Sequence, residues 1–375
     1  MDLKQYLAEL EYLVNIDSCS DDPVGLNTVA EFFCDGFSKM SWIVEKHSLA
    51  PNSGTCVICK NREAEHYDLM LMGHIDTVFT KGTCAERPFR IEGNFAYGPG
   101  VADMKQGSLL IYHILKNLPR EINDKLNILA VFNPDEEISS IYSRSVYEEY
   151  AKITDYAYVY EASAINGARC VERKGAIGIT VDFAGKAGHC GYVFSNGAKS
   201  AVSEMARWIV GLDSLQNEEL NTTVNVGIAK GGTKQNVVAD SATISASIRF
   251  IHHSEMARAE KKIEELTEQA KKNGIEITIR RRTQKAPLVM SDKAKKYIEH
   301  VSAIAKANGM DYEYKLRGGL SDANIIAQHG VVCIDGMGPS GTKGHEPGEY
   351  MVIDSIIPAY NYSNLLIKDL AENKN

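Results

Sequence analysis

Hydrophobic positions along the chain fall into two textures. Up to about residue 162, segments with apolar residues at helical spacing alternate with short, nearly continuous apolar runs. The opening M-D-L-K-Q-Y-L-A-E-L-E-Y-L spaces its apolar residues for one face of a helix, and a second helix is predicted over 25–40. Strands are predicted at 42–46, 55–59 and 68–72, and E-G-N-F at 92–95 predicts a hairpin. A helix over 105–118 precedes strands at 126–133 and 156–160. Runs such as L-N-I-L-A-V-F and Y-A-Y-V-Y scarcely alternate, as expected of strands covered on both faces. The pattern implies an α/β domain around a central, mostly parallel sheet.

From Lys174 to about Thr283 the apolar residues alternate instead. Positions 177, 179, 181 and 183 of G-A-I-G-I-T-V-D-F-A-G share one face of a strand. A helix at 198–212, strands at 222–229 and 242–251, a charged helix at 254–273 closed by Gly274 and a strand at 275–281 follow. This order, βαββαβ, is that of a ferredoxin-like unit. It predicts a domain at 173–285 inserted into another built from 1–172 and 286–375, with T-Q-K-A-P-L at 283–288 as the linker. The first texture then returns, with helices at 291–307, from Ser321 and at 354–371, and strands at 312–316 and 331–334.

Composition narrows the function. The 375 residues carry a formal net charge of −8, and their one basic run, Arg280-Arg281-Arg282, is too short for a nucleic-acid footprint. No apolar run reaches membrane-spanning length, and the N-terminus lacks the basic start and apolar centre of a signal peptide. Eight cysteines scattered without paired spacing suit a reducing cytoplasm. Cys56-Val57-Ile58-Cys59 has no second such pair to complete a zinc ribbon, so two strand cysteines on opposite faces are expected.

Chemistry collects at the ends of the predicted strands. His74 follows one, Glu136 and Glu137 in N-P-D-E-E follow the next, Glu161 ends another, and His345 lies in the loop after V-V-C-I-D-G. Asp103 stands just before a helix. In open α/β sheets the carboxyl ends of the strands line one crevice, so these side chains are expected to converge. A lone H-x-D or E-E pair is ordinarily structural, but so many carboxylates together would repel one another unless cations sat among them. His74, His345, Glu137, Glu161 and Asp103 are too many for one tetrahedral ion, whereas two ions bridged by one carboxylate would use all five. Glu136 then stands outside the ligand set, where a carboxylate beside a metal-bound water can act as general base. Asp76 is suited to orient the second ring nitrogen of His74.

The ordered set G-H-I-D-T-V-F, G-P-G-V-A-D-M-K-Q-G, D-E-E-I-S-S, E-A-S, K-A-G-H-C-G, G-G-T-K-Q-N-V-V-A-D, S-I-R-F, G-G-L-S-D-A-N and G-T-K-G-H-E-P-G-E-Y resembles the M20 family of di-zinc peptidases and deacylases. Within it the nearest likeness is to glutamate carboxypeptidases of the carboxypeptidase G2 type, over about residues 70–352. The resemblance implies a zinc-exopeptidase-like catalytic domain and a lid that also mediates homodimerisation. It implies His74 and Glu161 on one zinc, Glu137 and His345 on the other, Asp103 as bridge, Asp76 as partner of His74 and Glu136 as catalytic base. It further implies a cis peptide after Asp103, His189 reaching a neighbouring subunit's site to steady the oxyanion, and Asn236 and Arg249 holding the substrate's carboxylate. Arg249 points away from the apolar face of Ile244, Ala246, Ile248 and Phe250, and a guanidinium matches a carboxylate through two parallel hydrogen bonds.

Serine at 139 and glutamine at 106 replace glycines usual in the family, and no implied ligand is missing. The expectation is a cytoplasmic, homodimeric amidohydrolase with two divalent ions, zinc first and manganese or cobalt tolerated by the oxygen-rich ligand set. Its substrate would be a small peptide or N-acyl amino acid with an unblocked α-carboxylate, cleaved as by a glutamate carboxypeptidase. An N-acyl amino-acid deacylase of the acetylornithine or succinyl-diaminopimelate type is the alternative, and a non-catalytic metal-binding relative a more distant one.

Overall fold

A computed structural model of the chain describes residues 1–49 and 53–374. It divides into two compact units, one of Met1–Glu172, Met290–Arg317 and Ser321–Asn375, the other of Arg173–Val289 and Gly318–Leu320. No helix of the described residues is long and apolar enough to cross a membrane.

The first unit is built on six strands in the spatial order Ile43–Ser48, Thr55–Lys60, Ile128–Asn133, Tyr67–His74, Thr154–Val159 and Val332–Ile334. The last four run parallel, while the first two pair antiparallel to each other and to Ile128–Asn133. The sheet is therefore mixed, a parallel set with an antiparallel edge. Every residue of Ile128–Asn133 is buried, consistent with helices on both faces.

Those helices carry their own start signals. Pro23–Lys39 has proline at its first position and Asp22 capping the Val24 amide, and Asp292–Ala307 is capped by Ser291. Phe33 stacks on Phe132 with ring centroids 4.1 Å apart, fixing helix to sheet. A buried phenylalanine of this kind contributes about 1.5–3 kcal/mol.

Two small sheets were not readable from periodicity. Tyr314–Arg317 pairs with Arg169–Arg173, outside the central sheet. Five further strands lie in the order Arg90–Glu92, Phe95–Tyr97, Tyr350–Val352, Gly338–Thr342 and Ala162–Ser163. The first two form the hairpin expected at E-G-N-F. The helix expected from Ser321 is only Ala323–Ile326 with a 3-10 turn beyond it.

In the second unit four antiparallel strands lie in the order Thr223–Gly231, Ser241–Phe250, Gly175–Ala184 and Glu276–Lys285, with helices Ala201–Asp213 and His253–Lys272. The last strand runs on to Lys285, so half of the expected linker is strand. Ile177, Ile179, Val181 and Phe183 share one side of the sheet with Ile244, Ile248 and Phe250 and pack with Trp208 in a core of the unit's own.

Candidate metal centre

Three of the five clustered side chains, His74, Glu137 and Glu161, reach the same crevice because parallel strands end at one edge. His74 closes its strand, paired with Asn133 at the end of the next. Gly73 before it has no room for a side chain, since a Cβ would lie 2.5 Å from Ser108 Oγ, the hydroxyl that donates to the His74 carbonyl at 2.7 Å. Asp103 ends the loop leading into helix Lys105–Lys116, and its bond to Met104 is cis, as the resemblance implied. His345 arrives differently, on the loop between strands Gly338–Thr342 and Tyr350–Val352, with a left-handed backbone at φ 68°.

Asp103 turns one oxygen to each histidine. Its Oδ1 is 3.0 Å from His74 Nε2 and its Oδ2 is 3.3 Å from His345 Nε2. His74 Nε2 also stands 3.7 Å from Glu161 Oε1, and His345 Nε2 3.0 Å from Glu137 Oε2. His74, Asp103 and Glu137 can bring ligand atoms within 4.8 Å of one another.

Burial penalises the Glu161 carboxylate first and Asp103 adds repulsion, so its pKa stands well above the usual range. Glu137 is raised for the same two reasons, in part offset by its hydrogen bond with His345. Burial opposes protonation of His74, but the hydrogen bonds with Asp103 and Asp76 outweigh it and hold the imidazole well above its ordinary value. Hydrogen bonds with Asp103 and Glu137 lift His345 to about 11.

A divalent pair fits this donor set. Bonds of about 2.0–2.2 Å to a tetrahedral ion put neighbouring ligand atoms roughly 3.3–3.6 Å apart, close to the separations just given. Among the described residues Glu137 Oε1 is buried with no hydrogen-bond partner, an acceptor that a cation would satisfy.

Asp76 ties the centre together. Fully buried, it lies with Oδ1 3.2 Å from His74 Nδ1 and accepts the Glu136 amide on the same oxygen at 3.1 Å. Its Oδ2 accepts the Glu137 amide at 3.0 Å and the Ser20 hydroxyl at 2.7 Å. The Asp76 main-chain carbonyl, 3.0 Å from His74 Nδ1, holds the imidazole together with the carboxylate, which also fixes the backbone of both glutamates.

Residues beyond the sequence-based set support the glutamate turn. Ser139 and Ser140 are left-handed at φ 75° and 54°. Ser140 Oγ donates to Asp322 Oδ1 at 2.5 Å and Tyr147 donates to the same oxygen at 3.0 Å, while Asn133 Nδ2 donates to Asp322 Oδ2. Asp135 accepts the Tyr142 amide and the Ser143 hydroxyl. Buried hydrogen bonds thus hold serines in a conformation that glycine adopts more readily. Gln106, the other substitution, is buried and donates to the Ala102 carbonyl at 3.1 Å. The signal for Asp322 was its place in G-G-L-S-D-A-N, but nothing in that string tells a buried acid from an exposed one.

The three remaining residues lie in the second unit. Gly188–His189 pairs with Val237–Val238, and the Cys190 amide donates to the Asn236 carbonyl at 3.2 Å, so His189 and Asn236 are neighbours. Both are exposed. His189 Nδ1 accepts the Gly191 amide at 3.1 Å, which leaves its proton on Nε2 in the neutral ring. Arg249 is half-buried on the face opposite Ile248 and Phe250; burial lowers its pKa, and no carboxylate pairs with it among the described residues.

A family model described as Peptidase family M20/M25/M40 matches residues 70–369. Carboxypeptidase G2 of Pseudomonas sp. (strain RS-16) is 30% identical over 370 residues, covering 97% of this chain and 89% of that protein. Among solved structures, a tripeptidase of Staphylococcus aureus superimposes with a TM-score of 0.79 at 21% identity, covering all of both chains. An M20 metallo-carboxypeptidase of Sulfolobus solfataricus does so with a TM-score of 0.75 at 16% identity, covering 99% of this chain and 100% of that one.

Proposed function

The chain belongs to peptidase family M20/M25/M40, whose members are metal-dependent hydrolases with paired ions, and from that premise we propose that it cleaves the amide bond of a small substrate ending in an unblocked α-carboxylate, in the manner of a glutamate carboxypeptidase. Similarity to carboxypeptidase G2 along nearly the whole chain supports the substrate class. The observation that carries the two-ion chemistry is Asp103 presenting one oxygen to each of two imidazoles.

In this reading His74 and Glu161 would hold one ion, Glu137 and His345 the other, and Asp103 would serve both. Bound there, zinc, or manganese or cobalt in its place, supplies Lewis acidity to the amide carbonyl and to the attacking water. Glu136 takes the proton of that water and hands it to the leaving amine nitrogen, a role typically worth about 10²–10⁴ in rate. Asp76, by its main-chain carbonyl as well as its carboxylate, keeps the proton of His74 on Nδ1, so that Nε2 remains an electron-pair donor. Arg249, with Asn236, receives the substrate carboxylate. His189 offers its Nε2–H to the developing oxyanion of a partner subunit's site, in a homodimer formed through the inserted unit. Eight cysteines with no disulfide among the described residues suit a cytoplasmic setting.

The test is a panel of N-acyl glutamates, other N-acyl amino acids, γ-glutamyl conjugates and dipeptides, each offered also as its C-terminal amide. Cleavage confined to the unblocked acids, with glutamate preferred, is expected. Preference for simple N-acetyl or N-succinyl amino acids would favour the deacylase alternative, and equal cleavage of the capped forms would defeat the role given to Arg249.

A further inference from the structure

Glu349 stands four residues after His345, and its side chain is as buried as the core, 2% exposed. A buried carboxylate persists where hydrogen bonds replace its lost hydration. Here its Oε2 accepts the Gly100 amide at 2.9 Å, and its Oε1 accepts the amides of Ala102 at 2.7 Å and Asp103 at 2.9 Å. All three donors belong to the loop that delivers Asp103. We propose that Glu349 is a positioning residue for one half of the metal centre: by tying the Asp103 backbone to the His345 loop, it sets the gap in which the ion of Glu137 and His345 would sit. This rests on the two-ion reading above.

The effect is one-sided because the two histidines are anchored differently. His74 is held by its strand, by Ser108 and by Asp76, none of which involves Glu349. His345 lies on a loop where Lys343 and His345 both take left-handed angles, at φ 59° and 68°. Such residues store strain and keep their shape only while their surroundings impose it. The loop also passes hard against the bridge, since a Cβ on Gly344 would lie 2.9 Å from Asp103 Oδ2. Without the carboxylate clasp, loop and bridge can part, and the cost falls on the Oδ2 side of Asp103.

The test uses the full-length chain stripped of metal and titrated with Zn²⁺ or Co²⁺ by calorimetry. Two binding steps are expected for the wild type, and His345→Ala identifies the step that belongs to the Glu137 and His345 side. Glu349→Gln keeps the shape but puts an amide nitrogen against backbone N–H groups. It should weaken that same step by about 10–100-fold and leave the other at its wild-type value. Equal weakening of both steps, or of neither, overturns the inference. Should Glu349→Gln fail to fold, Glu349→Asp, too short to reach all three amides, is expected to give the same single-step loss; if it also fails to fold, the residue is structural and the inference falls. A wild-type protein that binds fewer than two ions would instead defeat the two-ion reading itself.

Discussion

Replacing Asp76 by asparagine removes one acceptor from a fully buried site that serves two backbone amides, a hydroxyl and an imidazole. If the amide oxygen takes the place of Oδ1, the amide nitrogen faces the Glu137 N–H, and Ser20 can turn to accept but the backbone cannot. One buried N–H is then orphaned, at about 1–3 kcal/mol. If the amide is flipped, its nitrogen meets the Glu136 N–H and His74 Nδ1. The Nδ1 proton then keeps only the Asp76 main-chain carbonyl, 3.0 Å away, as its acceptor and is pressed against an amide N–H, so the ring loses the side-chain contact that orients it toward Asp103 and Glu161. One orientation displaces Glu137 and the other tilts His74, so metal affinity should fall by about 10–100-fold. Urea unfolding of the metal-stripped protein measures the first quantity, and competition with a chelator measures the second. Wild-type values for both in Asp76→Asn would refute the role of Asp76 as the tie between histidine and glutamates.

Glu136→Gln should lower hydrolysis by about 10²–10⁴-fold while metal content by elemental analysis is unchanged; lost metal would make it a ligand. Gly107→Ala would ordinarily stabilise a helix by about 1 kcal/mol, but here the added Cβ would lie 1.9 Å from the Tyr160 carbonyl oxygen, a backbone atom that cannot swing aside. A loss of about 1–3 kcal/mol or more in denaturant unfolding is expected, with weaker metal binding because Glu161 is the next residue along. Burial opposes ionisation of Glu45, yet hydrogen bonds from Lys60, Tyr150 and His47 hold its pKa below the ordinary value. Its contribution is therefore complete above about pH 4.5 and is lost as the pH falls through the lower folded value. Glu45→Gln should cost about 1.5–3 kcal/mol at pH 7 and shrink toward zero in acid, and a pH-independent loss would contradict the assignment.

The inserted unit was legible because half-buried strands announce themselves by alternation, as Ser241–Phe250 does at every residue. The direction of a strand leaves no such trace, and so the antiparallel edge of Ile43–Ser48 and Thr55–Lys60 emerged only with the structure. The shared crevice of His74, Glu137 and Glu161 follows from parallel strands ending at one edge. His345 is held instead by Gly338–Thr342, a G-P-S-G-T strand with no apolar period to read. Glu349 and Asp322 act through buried amides and hydroxyls, and an acid in a polar turn looks the same in sequence whether it faces water or backbone.

The central claim is that Asp103 bridges two ions, and anomalous diffraction from a crystal soaked in zinc or manganese tests it most directly. Two peaks about 3.5–4 Å apart are predicted, one among His74, Asp103 and Glu161 and the other among Asp103, Glu137 and His345. A single peak, or a pair that leaves Asp103 out, would contradict it.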